Sequence, residues 1–131
     1  MLVLIVEDEP IVALNLLMAI EEHGHQVLGT VSSHAEVRNL LRVHHPDLAL
    51  VDINLHGVNS GIEIADNLTH EFDVPTIFLS GQQALARDHR TAALGLIEKP
   101  CVADQVAQCV DAYAQLRAGT AVTFPKALEF L

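Results

Sequence analysis

Positive charge is scarce in this chain: seven Lys and Arg stand against seventeen Asp and Glu, a formal net charge of −10 over 131 residues. A surface that acidic repels phosphate backbones and anionic headgroups, which argues against direct nucleic-acid binding and against a membrane-surface role. Cysteine is almost absent, and Cys101 and Cys109 supply neither a disulfide framework nor four zinc ligands. A reducing compartment fits that usage. Long apolar runs are missing as well. Leu2-Val3-Leu4-Ile5-Val6 meets Glu7-Asp8-Glu9 at once and has no cationic start, so neither a signal peptide nor a membrane span is expected, and the expected location is the cytoplasm. No Gly-rich phosphate loop is present, which disfavours nucleotide binding. What the chain does have is apolar bulk: half of its residues are apolar and 18% are charged. A chain of this length buries roughly two-thirds of its unfolded surface. That excludes intrinsic disorder and fits one folded domain.

Leu2 to Val6 is a run of branched side chains without alternation, the pattern of a parallel strand covered on both faces. Pro10 suits a first helical position, and Ile11, Leu14, Leu17 and Met18 carry a helix to His23-Gly24. Gln26 to Val31 predicts a second strand, and Ser32-Ser33 can cap a helix bearing Val37, Leu40 and Leu41. Leu48-Ala49-Leu50-Val51 predicts a third strand that delivers Asp52 at its carboxyl end. A loop from Ile53 to Ser60 leads to a helix with Ile62, Ile64, Ala65 and Leu68. Pro75 to Leu79 predicts a fourth strand, Gln83 to Ala93 a polar fourth helix, Gly95-Leu96-Ile97 a fifth strand, and Val102 to Arg117 a last helix ending before Gly119. Five βα units specify a five-stranded parallel sheet, doubly wound, with right-handed crossovers.

In such sheets the ligand crevice lies beyond the carboxyl ends of the strands. Those ends carry Glu7 and Asp8, Asp52, Ser80 and, one residue past Glu98, Lys99. Three carboxylates converging within a few ångströms repel one another unless a cation neutralises them. Oxygen donors suit a hard divalent ion such as Mg²⁺, which is usually held by one or two carboxylates together with phosphate oxygens. A carboxylate such as Asp52 can attack phosphorus to form an acyl phosphate. Lys99 and Ser80 would then offset charge on the phosphoryl oxygens, and Gly81 leaves the approach open.

These residues resemble the receiver domain of two-component response regulators. The resemblance covers residues 1 to about 118 and rests on Leu2 to Pro10, on Asp47-Leu48-Ala49-Leu50-Val51-Asp52 with Gly61, on Phe78-Leu79-Ser80-Gly81 and on Glu98-Lys99-Pro100. It implies a flavodoxin-like (βα)5 fold. It also implies Asp52 as phosphoacceptor, Glu7, Asp8 and Asp52 with the Asn54 backbone carbonyl as Mg²⁺ ligands, Ser80 as the hydroxyl switch residue and Lys99 as the phosphate-binding lysine. The implied partner is a sensor histidine kinase or histidine phosphotransfer protein. Three positions depart from the family pattern. Leu96 stands where an inward-swinging Tyr or Phe is usual. The loop Ile53-Asn54-Leu55-His56-Gly57 lacks the usual proline and runs one residue longer before Gly61. The fourth helix, with Arg87, Asp88, His89 and Arg90, is polar.

A single carboxylate at a strand end is more often a cap or a solvated surface group than a ligand, so the weight falls on the whole set. Lys99-Pro100 also suits a plain strand-to-helix turn. The eight His residues are scattered and read as surface groups, with His56 a solvated loop residue, while Cys101 and Cys109 read as small apolar residues of the last helix. Residues 119–131 form a tail holding Phe124, Leu128, Phe130 and Leu131, too short for an output domain. This tail is expected to dock, on its own domain or, as the preferred reading, on a second protomer. A homodimer through the tail or through the face of the fourth and fifth helices follows. The leading function is a stand-alone receiver of a two-component phosphorelay that signals through protein contacts and is no enzyme beyond promoting its own phosphorylation and dephosphorylation. The alternatives are a Mg-dependent hydrolase of Toprim-like fold, weakened because Asp52-Ile53-Asn54 lacks an Asp-x-Asp pair, and a non-phosphorylated dimerisation module.

Overall fold

The computed structural model describes residues 1–131. Its elements run β1 (Leu2–Val6), α1 (Pro10–Glu22), β2 (Gln26–Val31), α2 (His34–Leu41), β3 (Leu48–Asp52), α3 (Gly61–His70), β4 (Thr76–Ser80), α4 (Gln83–Asp88), β5 (Gly95–Glu98), α5 (Ala103–Arg117) and β6 (Leu128–Phe130). The sheet order is β2-β1-β3-β4-β5-β6. The first five strands pair in parallel, so strand order reverses between β1 and β3, where a doubly wound sheet opens its crevice.

The unbroken apolar runs of the sequence become strands buried on both faces, and their period of two divides the core into two layers. Leu4, Val6, Ala49, Val51, Phe78 and Leu96 point to the layer closed by Val37 of α2, Ile64, Ala65 and Leu68 of α3 and Ala86 of α4. Val3, Ile5, Leu48, Leu50, Ile77, Leu79 and Ile97 point to the layer closed by Leu16 and Ile20 of α1 and Val106, Cys109 and Val110 of α5. Burying a side chain of this size contributes about 1.5–3 kcal/mol relative to leaving it exposed. Ser33 is the cap of α2: its hydroxyl accepts from the Glu36 N–H at 3.3 Å, and the Glu36 carboxylate accepts from that hydroxyl at 3.1 Å. No helix is long and apolar enough to cross a membrane.

Two elements differ from the expectation. The fourth helix ends at Asp88 rather than at Ala93. Of its residues only Ala86 is buried, so no apolar stripe extends it, and Ala92 and Ala93 enter the core as irregular chain instead. The sheet has a sixth strand, where five were expected. Leu128–Phe130 pairs antiparallel with β5 and covers an edge that would otherwise present unpaired backbone groups.

Candidate functional site

β1 and β3 are adjacent parallel strands, with Val3↔Leu48 to Val6↔Val51 in register. Their carboxyl ends therefore set Glu7 and Asp8 beside Asp52. One carboxylate oxygen from each of the three lies within 4.8 Å of the others. Glu7 and Asp52 are 4% and 7% exposed. Lys99, just beyond β5, reaches across the end of β4 to both: its Nζ donates to Asp52 Oδ2 at 3.1 Å and to Glu7 Oε2 at 3.2 Å. The Lys99–Pro100 peptide is cis.

Backbone amides hold the carboxylates in place. The Glu9 N–H donates to Glu7 Oε1 and the Asn54 N–H to Asp52 Oδ1, both at 3.2 Å. The His56 N–H donates to Asp8 Oδ2 at 2.9 Å. His56 has φ 54° and Gly57 φ 81°, so the longer loop turns in left-handed geometry and directs an amide back to Asp8. The His56 ring is solvent-exposed, in line with the loop reading, and its Nε2 lies 3.1 Å from Ser32 Oγ. Gly61 lets α3 start against the end of β3. A Cβ there would collide with the Asp52 carbonyl oxygen and lie 2.7 Å from Ile53 Cα, whereas the glycine N–H donates to the Ile53 carbonyl at 3.0 Å. Ser80, at the end of β4 and buried, accepts the Gln82 N–H on its Oγ at 2.8 Å. The Gln82 side chain in turn donates to Asn59 Oδ1 at 3.0 Å.

The site carries more negative charge than its one lysine offsets. Burial, and then the Asp52 charge, push the Glu7 carboxyl up to about 7 against the opposing pull of Lys99. Burial drags the Lys99 ammonium down, but the Asp52 and Glu7 carboxylates outweigh it and hold the lysine above its ordinary value. Clustered hard oxygen donors with surplus negative charge are the donor set of a hard divalent cation, so the residues present fit a metal at this acidic pocket.

Glu7, Asp8, Asp52 and Lys99 thus converge, Ser80 stands at the neighbouring strand end, and Asn54 enters through its amide. The His56 and Gln82 amides were not anticipated; only the loop position of His56 hinted at the first.

The match to known proteins agrees with this geometry. A family model described as the response regulator receiver domain matches residues 3–111. The chain is 34% identical over 100 residues to the phyllosphere-induced regulator PhyR of Methylorubrum extorquens, a match that spans 75% of this chain and 38% of that protein. It is 32% identical over 102 residues to protein PilH of Pseudomonas aeruginosa, covering 68% of this chain and 83% of PilH. Among solved structures, the signal receiver domain of a modulated diguanylate cyclase from Desulfovibrio desulfuricans G20 superposes with a TM-score of 0.72 at 34% identity, over 84% of this chain and 90% of that one. The family match does not favour the Toprim-like hydrolase or the plain dimerisation module.

Proposed function

The chain belongs to the response regulator receiver family, a signalling family rather than one of classical enzymes, and we propose that it works in the cytoplasm, taking a phosphoryl group onto Asp52 from the phosphohistidine of a sensor histidine kinase or histidine phosphotransfer protein. The observation that carries this reading is the Lys99 ammonium lying 3.1 Å from Asp52 and 3.2 Å from Glu7, with Asp8 in the same cluster.

A carboxylate oxygen of Asp52 forms the new P–O bond while the P–N bond to the donor imidazole breaks, and the imidazole nitrogen leaves with the bonding pair. In this reading Lys99 moves from the carboxylates to a phosphoryl oxygen, and the Ser80 hydroxyl donates to another. The Asn54 amide keeps the Asp52 carboxylate oriented during attack. Mg²⁺, held by the Glu7, Asp8 and Asp52 carboxylates with the Asn54 backbone carbonyl, would supply the positive charge that lets an anionic donor approach an anionic site. The phosphorylated domain then signals by changing its protein contacts.

Incubation with acetyl phosphate and Mg²⁺ is expected to add one phosphoryl group, read as intact-protein mass and removed by hydroxylamine. Asp52→Asn should abolish the addition. A phosphoryl group that persists on the Asp52→Asn chain would sink the assignment.

A further inference from the structure

β5 is the last parallel strand, and the segment after α5 returns to fill its free edge. Ile97 pairs with Leu128, Leu96 with Glu129 and Gly95 with Phe130, and the Leu131 N–H donates to the Leu94 carbonyl at 3.0 Å. Two features make the fit specific. A Cβ on Gly95 would lie 2.8 Å from Leu128 Cδ1 and 3.1 Å from the Glu129 carbonyl oxygen, so the missing side chain is the seat on which Leu128 rests, buried. On the other side of the sheet edge, Arg87 of α4 grips Glu129 with two bonds, Nε to Oε2 at 2.8 Å and Nη2 to Oε1 at 2.7 Å. The edge thus suits an antiparallel strand in which an apolar residue is followed by an acidic one.

Within one chain the hold rests mainly on Leu128, the one buried side chain after α5. The strand has three residues, the ion pair is solvent-exposed and contributes little, and Phe130 stays 55% exposed, its ring edge-on to Phe124 at 4.8 Å. Between α5 and β6, Gly119–Ala127 forms no helix or strand. Extended, that stretch reaches about 30 Å, against a radius of gyration of about 14 Å for a domain of this length. A strand that fits its own edge fits the identical edge of another copy with the same bonds, and exchange of identical elements is a low-cost route to a dimer.

We infer that the β5 edge is an interface for a second copy of this chain, filled by that copy's Leu128–Phe130 strand in a reciprocal two-fold exchange, with the intramolecular β6 as the resting form of the same contact. The exchange uses no residue of the acidic site, and it holds or fails independently of phosphoryl transfer to Asp52.

Charge reversal separates exchange from other modes of association. Arg87→Glu and Glu129→Arg each set like charges across the α4–β6 contact inside one chain, at exposed positions that leave the core intact. Only strand exchange between the two variants restores both opposite-charge pairs. Native mass spectrometry of an equimolar mixture, one variant isotope-labelled, is expected to show a heterodimer at twice the 14.2 kDa of one chain. That species should be about tenfold more abundant than either homodimer. The chain carrying both reversals should associate as the unmodified protein does. A mixture that stays monomeric overturns the inference, and so does one whose three dimers form in statistical proportion, since the contact then lies on another face.

Discussion

The sheet has a firm half and a loose edge, and the two do different work. At β1, β3 and β4 nearly every strand residue is buried, and α1, α3 and α5 each bury four or more residues against the sheet. At the other end, β5 has four residues, α4 six and β6 three, and much of what joins α4 to β6 is the exposed Arg87–Glu129 pair. Parts that hold several carboxylates together against their own repulsion need a rigid frame, while parts that change partners need weak contacts. The acidic cluster sits on the first kind of element, and the covered edge is built from the second.

The sharpest way to break the comparison is to remove bulk from the firm half. Phe78→Ala empties a fully buried position of β4 and should cost about 3–5 kcal/mol in urea unfolding; a loss below about 1 kcal/mol would mean that the two regions do not differ in packing as described. A smaller effect tests the charge held by that frame. The Glu7 carboxyl lies at about 7 in the folded protein against 4.5 as its ordinary value, so between those values the native state binds more protons than the unfolded one. In chelator, the Glu7 contribution to stability should be greatest below about pH 4.5 and should fall by something on the order of 3 kcal/mol as pH rises through 7. Glu7→Gln should flatten that slope, and Mg²⁺ should do the same in the unmodified chain. A slope of the opposite sign would remove the account of excess charge. Smallest of all, Glu129→Ala should change global stability by less than about 1 kcal/mol while speeding amide exchange at Leu128–Leu131. Unchanged exchange there would show that the ion pair does not hold the edge strand.

How much of this could be read before the fold was known follows the same division. The parallel strands were legible because Leu2–Val6 and Leu48–Val51 are apolar without alternation, a pattern that only double-sided burial explains. Glu7, Asp8, Asp52, Ser80 and Lys99 were legible because βα topology alone sends the residues after each strand to one end of the sheet. The loose edge was not. Leu128-Glu129-Phe130 is too short to show a period, and its partner, the seat at Gly95, is thirty-odd residues away. Arg87 to Arg90 gave α4 its polar character but not its end, which depends on Ala92 and Ala93 entering the core. The His56 and Gln82 amides that steady Asp8 and Ser80 belong to the backbone, and a backbone N–H leaves no signature in residue type.

The bond from the Gln82 amide to Ser80 Oγ has a consequence beyond anchoring. A serine hydroxyl is one donor with two acceptor lone pairs, so Ser80 can give its proton to an incoming oxyanion without letting go of the amide behind it. No choice between two partners is required, and no buried N–H is orphaned. The hydroxyl therefore fastens the end of β4 to the residue just ahead of α4 while keeping its own proton free.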